Sequence, residues 1–528
     1  MNQEQTSHAL ARTMAVLFGC VTGFILILNL LKSCFPRVLY QYYQLETLLP
    51  HPVLMLTGLV VLTGLFLLIR TIGRRCHPAR WWKLSERSTL LLAGALFFVT
   101  QMYLIYNYCF ETDWDVQVLL DSARCLANGQ RPNHNGWYYS CYPNNLFLTA
   151  IFGVILWITK PLHLGALDFL SIVAVQSLFC VVTGWMLYQI MVHRWKRRDL
   201  ACFGMALYLL LVGLSPWTSI PYSDAWGLLF PIAALWAYDC SALKEKPFLR
   251  WFLIIFCALF GFKIKPQVIF VLLSILGVDL GIAWLHRKER GLIQASTRRS
   301  LLGGVAGAVA VLLPVFLINS VSHIGHYKDS RFGAPHFLMM GLNRESIGDY
   351  SDYDVIFARQ FTTARERDKA ELKESWNRLR EMGPKGFGQL VCEKTLVNYY
   401  DGTFFWGKEG YFYKTVFPER NRHLSPFLRK LYYNRTIHGA YYPYWCSGAT
   451  AIWLGALALM FFAAFGRPDR LTFIVMLSLL LLTLYETFFE ARARYLYAYL
   501  PFYIFLAVQG IRQLEQGVSR LRHRKRQE

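Results

Sequence analysis

Apolar runs of about 18–22 residues recur along almost the whole chain, and each is as long as an α-helix must be to cross the hydrocarbon core of a bilayer. No other feature limits the fold so tightly. A backbone inside lipid must satisfy its own hydrogen bonds, which leaves helices or closed barrels, and continuous apolar runs select helices. Only 17% of the 528 residues are charged while 55% are hydrophobic, too little polar surface for several soluble domains. The expected fold is an all-α polytopic membrane protein, a bundle of about 12–13 transmembrane helices. Spans are expected near 13–34, 53–70, 88–108, 168–191, 199–214, 223–240, 250–262, 267–285, 301–320, 447–465, 471–487 and 495–512. Met14–Leu31 reads as the first span, being too long for a cleaved leader.

The net charge of +22 raises nucleic acid as a partner, but the basic residues cluster in short segments between apolar runs. These are RTIGRRCHPARWWKLSER at 70–87, HRWKRRD at 193–199, HRKERG and TRR within 286–299, GRPDR at 466–470 and the terminal RLRHRKRQE. Such clusters mark cytoplasmic loops and meet anionic headgroups, so membrane lipids are expected partners and nucleic acid is not. Both termini then lie in the cytoplasm. One apolar segment, NLFLTAIFGVILWITK at 145–160, breaks the count, because a third crossing there would put HRWKRRD outside. It is expected to be re-entrant or interfacial.

This topology divides the chain into two N-terminal spans with a basic loop (1–87), a transmembrane module (88–320) whose first outer loop is 109–144, an extracytoplasmic region (321–446), and C-terminal spans with a basic tail (447–528). The outer face also receives SPWTSIPYSD (215–224), KIKP (263–266) and ETFFEARARY (486–495). Ionisable residues at a membrane edge need a partner or a task. In ETDWD (111–115), Asp115 falls at the start of a short amphipathic helix that would lay Leu119, Ala123 and Leu126 on the membrane. Asp113 either caps that helix or acts as a second acid.

The run from Asp115 through Ala123 to Gly129, followed by YPNN at 142–145, resembles the first outer loop of the GT-C glycosyltransferases. Those polytopic enzymes use polyprenyl-phosphate sugars, and the likeness is to the protein O-mannosyl and aminoarabinose transferase type. PYSDAW (221–226), KIKP and EARARYLYAYLP (490–501) are similar to later elements of the same superfamily. The likeness covers about 88–320 with an echo at 486–505, and the paired YPP of many members is YPN here. It implies a GT-C-like bundle with a mixed extracytoplasmic region, transfer of a sugar from a polyprenyl-phosphate donor to a glycan, lipid or protein acceptor, and inversion at the anomeric carbon.

That chemistry needs a base, and Asp115 is the position carried over for it, with Asp113 and Asp224 next. Asp115 and Asp224 would also suit a shared Mg²⁺ or Mn²⁺. Lys263, Lys265, Arg492 and Arg494 are the candidates for the departing phosphate, and Tyr142, His134 and Tyr495 for sugar or acceptor contacts. Local alternatives stand beside these roles. Lys263 and Lys265 suit snorkelling, and Glu490 with Arg494 suits an i,i+4 helix pair. Arg492, for which Glu486 is a strained local partner, is therefore the stronger candidate of the two arginines. His323 and His326 lack a third metal ligand, and Cys125 with Cys141 is a weak disulfide candidate. The aromatics of 398–413 and 432–445 suit an interfacial belt more than an acceptor groove. No Walker A, dinucleotide or nucleophile-elbow motif occurs. The expectation is a plasma-membrane glycosyltransferase, bacterial rather than of the endoplasmic reticulum, with its site on the extracytoplasmic face. A flippase for a polyprenyl-linked saccharide is the alternative, and a scaffold the last choice.

Overall fold

The computed structural model describes residues 3–42, 47–75, 85–132, 135–285, 295–321, 328–409, 412–433 and 439–524. Its main elements are α1 (Gln3–Leu30), α2 (His51–Arg75), α3 (Glu86–Tyr108), β1 (Phe110–Thr112), α4 (Trp114–Ala127), α5 (Asn145–Thr159), α6 (Phe169–Trp195), α7 (Arg198–Tyr208), α8 (Leu229–Asp239) and α9 (Pro247–Ile264). They continue with α10 (Ile269–Leu285), α11 (Ala295–Val321), α12 (Ala364–Tyr399), β2 (Tyr413–Val416), α13 (Tyr442–Phe462), α14 (Arg470–Phe488) and α15 (Leu500–Arg524). Among the described residues, 9 helices are long and apolar enough to cross a membrane. The chain is an all-α polytopic membrane protein. Eight of the nine fall on expected spans, and the ninth contains α5. The remaining expected spans form shorter or interrupted helices; α7, for example, passes into a π turn at Leu209–Gly213.

Lipid gives helices no hydrophobic reason to associate, so close packing must do it. Gly58 of α2 shows this: a Cβ there would lie 1.8 Å from the carbonyl oxygen of Ala451 on α13.

Ion pairs fix the two faces. Arg198, after α6, binds Glu86 at the start of α3 at 2.7 Å, and Arg197 binds Glu515 of α15 at 2.7 Å. The ends of these helices therefore share one side, the one that carries these basic segments. At the opposite end Arg124 of α4 binds Glu111 at 2.5 Å and Asp168 at 2.6 Å. Lys160, just past α5, donates to Asn128, just past α4, at 2.9 Å. Helix α5 starts beside Tyr138, which accepts from Asn145 at 2.6 Å. Helix α5 is long and apolar enough to span, and both its ends contact residues of 109–144.

The outer region is tied to the first outer loop by a two-stranded antiparallel ladder, Phe110 opposite Val416 and Glu111 opposite Thr415. Its long helix α12 breaks at Gly383, whose φ of 59° precedes Pro384. Among the described residues of 398–413 the expected belt is not formed. Tyr399, Tyr400, Phe404, Phe405 and Trp406 are buried, filling the joint between outer region and bundle, where the Trp406 indole donates to the Tyr432 carbonyl at 2.6 Å. Tyr441 and Tyr444 remain exposed.

Candidate active site

Five segments far apart in sequence meet at one place. The first enters through α4. Asp113 stands exposed before it and accepts from the Trp114 backbone N–H at 2.9 Å, so the capping alternative describes its geometry. Trp114 itself adopts φ 64°, a conformation that costs a bulky residue about 1–3 kcal/mol. Its indole donates to the Thr112 hydroxyl at 2.9 Å. This turn aims Asp115, half-buried, toward the second segment, where the Tyr222 hydroxyl donates to Asp115 Oδ2 at 2.9 Å. Burial first, and then the Asp115 charge, push the Tyr222 phenol well up, so it stays a donor.

Two residues on, Asp224 is 1% exposed. Its Oδ1 accepts from Lys265 at 2.5 Å and its Oδ2 from Arg494 at 2.9 Å. Pro266 ends the α9 region, and Lys265 leaves it in extended conformation (φ −141°, ψ 110°), which points it inward. Lys263, two residues back on α9, lies instead over the Phe262 ring at 5.6 Å. The two lysines therefore diverge, and Lys263 is not part of the site.

The arginines also differ from expectation. Residues 489–492 are not helical, so the i,i+4 pair of Glu490 with Arg494 does not form. Glu490 binds Arg492 at 2.8 Å and accepts from the Tyr495 hydroxyl at 2.9 Å. Arg492 is further held by Asp349 at 3.1 Å and by Glu409. It is held by three carboxylates where Arg494 is held by two, Asp224 and Glu409, so the ground for preferring Arg492 over Arg494 is gone. Arg494 binds Glu409 at 2.5 Å, and its guanidinium lies over Trp114 at 4.8 Å and Tyr222 at 5.3 Å. Tyr495 packs under Lys265, with Nζ 4.0 Å from the ring centroid. Glu486 is buried on α14 and makes no ion pair among the described residues.

Three members were not singled out from sequence: Asp349, Lys408 and Glu409. Lys408 pairs with Asp349. Burial works against ionisation of Asp349, but Arg492 and Lys408 hold its carboxyl below the usual range. Four carboxylates, Asp224, Asp349, Glu409 and Glu490, thus face four cations, Lys265, Lys408, Arg492 and Arg494. Asp115 stands beside this neutralised cluster, and its partner among the described residues is a hydroxyl rather than a cation.

The donor set does not favour a metal shared by Asp115 and Asp224, because both oxygens of Asp224 already serve cations. Among the described residues no three His, Cys, Asp or Glu side chains converge as ligands. Tyr142 is half-buried beside Phe332 at 5.4 Å, within reach of the Asp115 charge. Cys125 and Cys141 are free thiols, so the disulfide does not form. His134, His323 and His326 lie outside the described residues.

A family model described as conserved hypothetical integral membrane protein matches residues 12–513. No curated protein and no solved structure matches the chain.

Proposed function

We propose that this chain, which belongs to the conserved hypothetical integral membrane protein family, is a glycosyltransferase that moves a sugar from a polyprenyl-phosphate donor to an extracytoplasmic acceptor, with Asp115 as general base. One observation carries the reading. Beside the ion-paired carboxylates Asp224, Asp349, Glu409 and Glu490, Asp115 is left on a tyrosine hydroxyl at the half-buried edge. A carboxylate so placed can take the proton of an acceptor hydroxyl as the new bond to the anomeric carbon forms. The old bond to phosphate oxygen breaks with its electron pair, and that oxygen needs a fixed cation.

Arg494, spread over the rings beside Asp115, and Lys265 are the cations for that oxygen, and Asp224 holds both in place. Arg492 is a positioning residue that anchors Glu409. Tyr142 and Tyr495 border the space for the sugar. The divalent ion has the weaker support, since Asp224 is already neutralised.

The flippase alternative calls for charges at several depths. Between the ends of the helices the sequence has few: no Asp, Glu, Lys or Arg occurs in 88–110, 169–193, 251–262, 471–485 or 495–511, and Asp279 within α10 is paired with Arg470 and accepts from Tyr238. The family match fixes an integral membrane protein; a bacterial plasma membrane and an outward-facing site belong to this proposal. The test is sugar transfer by purified protein from a panel of radiolabelled polyprenyl-phosphate sugars to crude envelope glycan, with Asp115→Asn in parallel.

A further inference from the structure

The sequence offered the aromatics of 398–413 as an interfacial belt or, second, an acceptor groove, and Tyr399, Tyr400, Phe404, Phe405 and Trp406 are buried. A different set is exposed where residues 350–359 pack against the first outer loop. Trp137, in the helix Gly136–Cys141, is 53% exposed, Tyr350 44% and Tyr353 81%. The Arg359 guanidinium lies 4.2 Å from the Trp137 ring centroid, and the Tyr350 hydroxyl donates to Asp352 at 2.9 Å. The Phe332 N–H donates to the Cys141 carbonyl at 3.0 Å, fastening this rim to the first outer loop. Inward of it Tyr142 packs against Phe332 at 5.4 Å and against Tyr138 at 5.2 Å.

We propose that this rim is a carbohydrate-binding platform, so that the acceptor is a glycan chain; the assignment rests on the transferase reading above. Rings with an apolar face and a polar edge match a sugar, which offers a C–H face and a fringe of hydroxyls. Asp352 supplies acceptors and Arg359 a fork of donors for those hydroxyls. Exposed aromatic area with polar groups at its edge marks an interaction surface.

The test is oligosaccharide binding by the full-length protein in detergent, using hexasaccharides of α- and β-linked glucose, mannose and N-acetylglucosamine as probes. Wild type, Asp115→Asn, Trp137→Ala and Tyr353→Ala are compared, each checked for an unchanged melting temperature. The expected result is binding by wild type and Asp115→Asn, weakened about tenfold or more in the other two, the loss of one stacked ring. Binding unaffected by both truncations overturns the platform. So does binding of no probe while sugar is transferred to a peptide or lipid acceptor, an outcome that leaves the transferase reading standing. Quenching of Trp137 by brominated lipid, read as the wild-type minus Trp137→Phe difference, would overturn it in favour of an interfacial belt. Platform binding without transfer from any donor would support the surface and remove the enzyme.

Discussion

Tyr222 and Asp115 are joined by a 2.9 Å hydrogen bond from phenol to carboxylate, which couples the second outer segment to the first. The bond fixes one Asp115 oxygen and leaves the other for an acceptor. Replacing Tyr222 by Phe keeps the ring under Arg494 and removes only the donor. Hydrogen bonds to charged groups contribute about 1.5–3 kcal/mol, so kcat should fall about tenfold or more with KM little changed. Steady-state kinetics of Tyr222→Phe, with circular dichroism as the folding control, check this.

Asp224 sits between two buried cations. Removing one partner of a buried ionic group costs about 3–5 kcal/mol, because the remaining charges are left uncompensated. Asp224→Ala should lower the thermal midpoint in detergent sharply. Adding Lys265→Met to it should recover part of the loss, which a double-mutant cycle by thermal melting measures.

Gly348 has φ 74°, and a Cβ there would lie 2.7 Å from the Gly341 carbonyl oxygen and 2.8 Å from Lys394 Cε. Gly348→Ala should cost roughly 1–3 kcal/mol from backbone strain, with more from the clash. Its neighbour Asp349 anchors Arg492 and Lys408, so activity should fall alongside the melting temperature.

Lys394 of α12 gives the stability a pH dependence. Its ammonium donates to the carbonyls of Gly341 and Phe489, both at 2.7 Å, yet burial pulls it down to about 7 from 10.5, with Glu486 and Glu490 opposing. Between those values the unfolded chain binds the proton and the folded chain does not, so this group's contribution to stability rises with pH. The melting temperature should gain from this group between pH 7 and pH 10, and Lys394→Met should remove that part of the slope.

How much of this was legible in the sequence follows from what lipid permits. Outside a bilayer an aspartate such as Asp224 or a lysine such as Lys265 would mean little. At the ends of apolar runs they had to find partners, and they found each other. The spans were readable because twenty apolar residues leave few alternatives. Asp349, Lys408 and Glu409 were not, because they lie in a stretch with no helical period or motif and gain their roles from pairings across the fold. The choice between Arg492 and Arg494 failed for a local reason: sequence spacing suggested a helix through 490–494, and the chain there is extended before it turns. The aromatics of 398–413 misled because the same residues that suit an interface also suit a buried joint.

The central claim is that Asp115 is the base of a sugar transfer. The most direct measurement is turnover of radiolabelled polyprenyl-phosphate sugars by purified wild type and Asp115→Asn, a change that preserves shape and the Tyr222 contact. The account predicts transfer by wild type and a fall of about 10²–10⁴-fold in the variant, with the melting temperature retained. Undiminished transfer by Asp115→Asn, or lipid-linked sugar crossing reconstituted vesicles with no transfer at all, would contradict it.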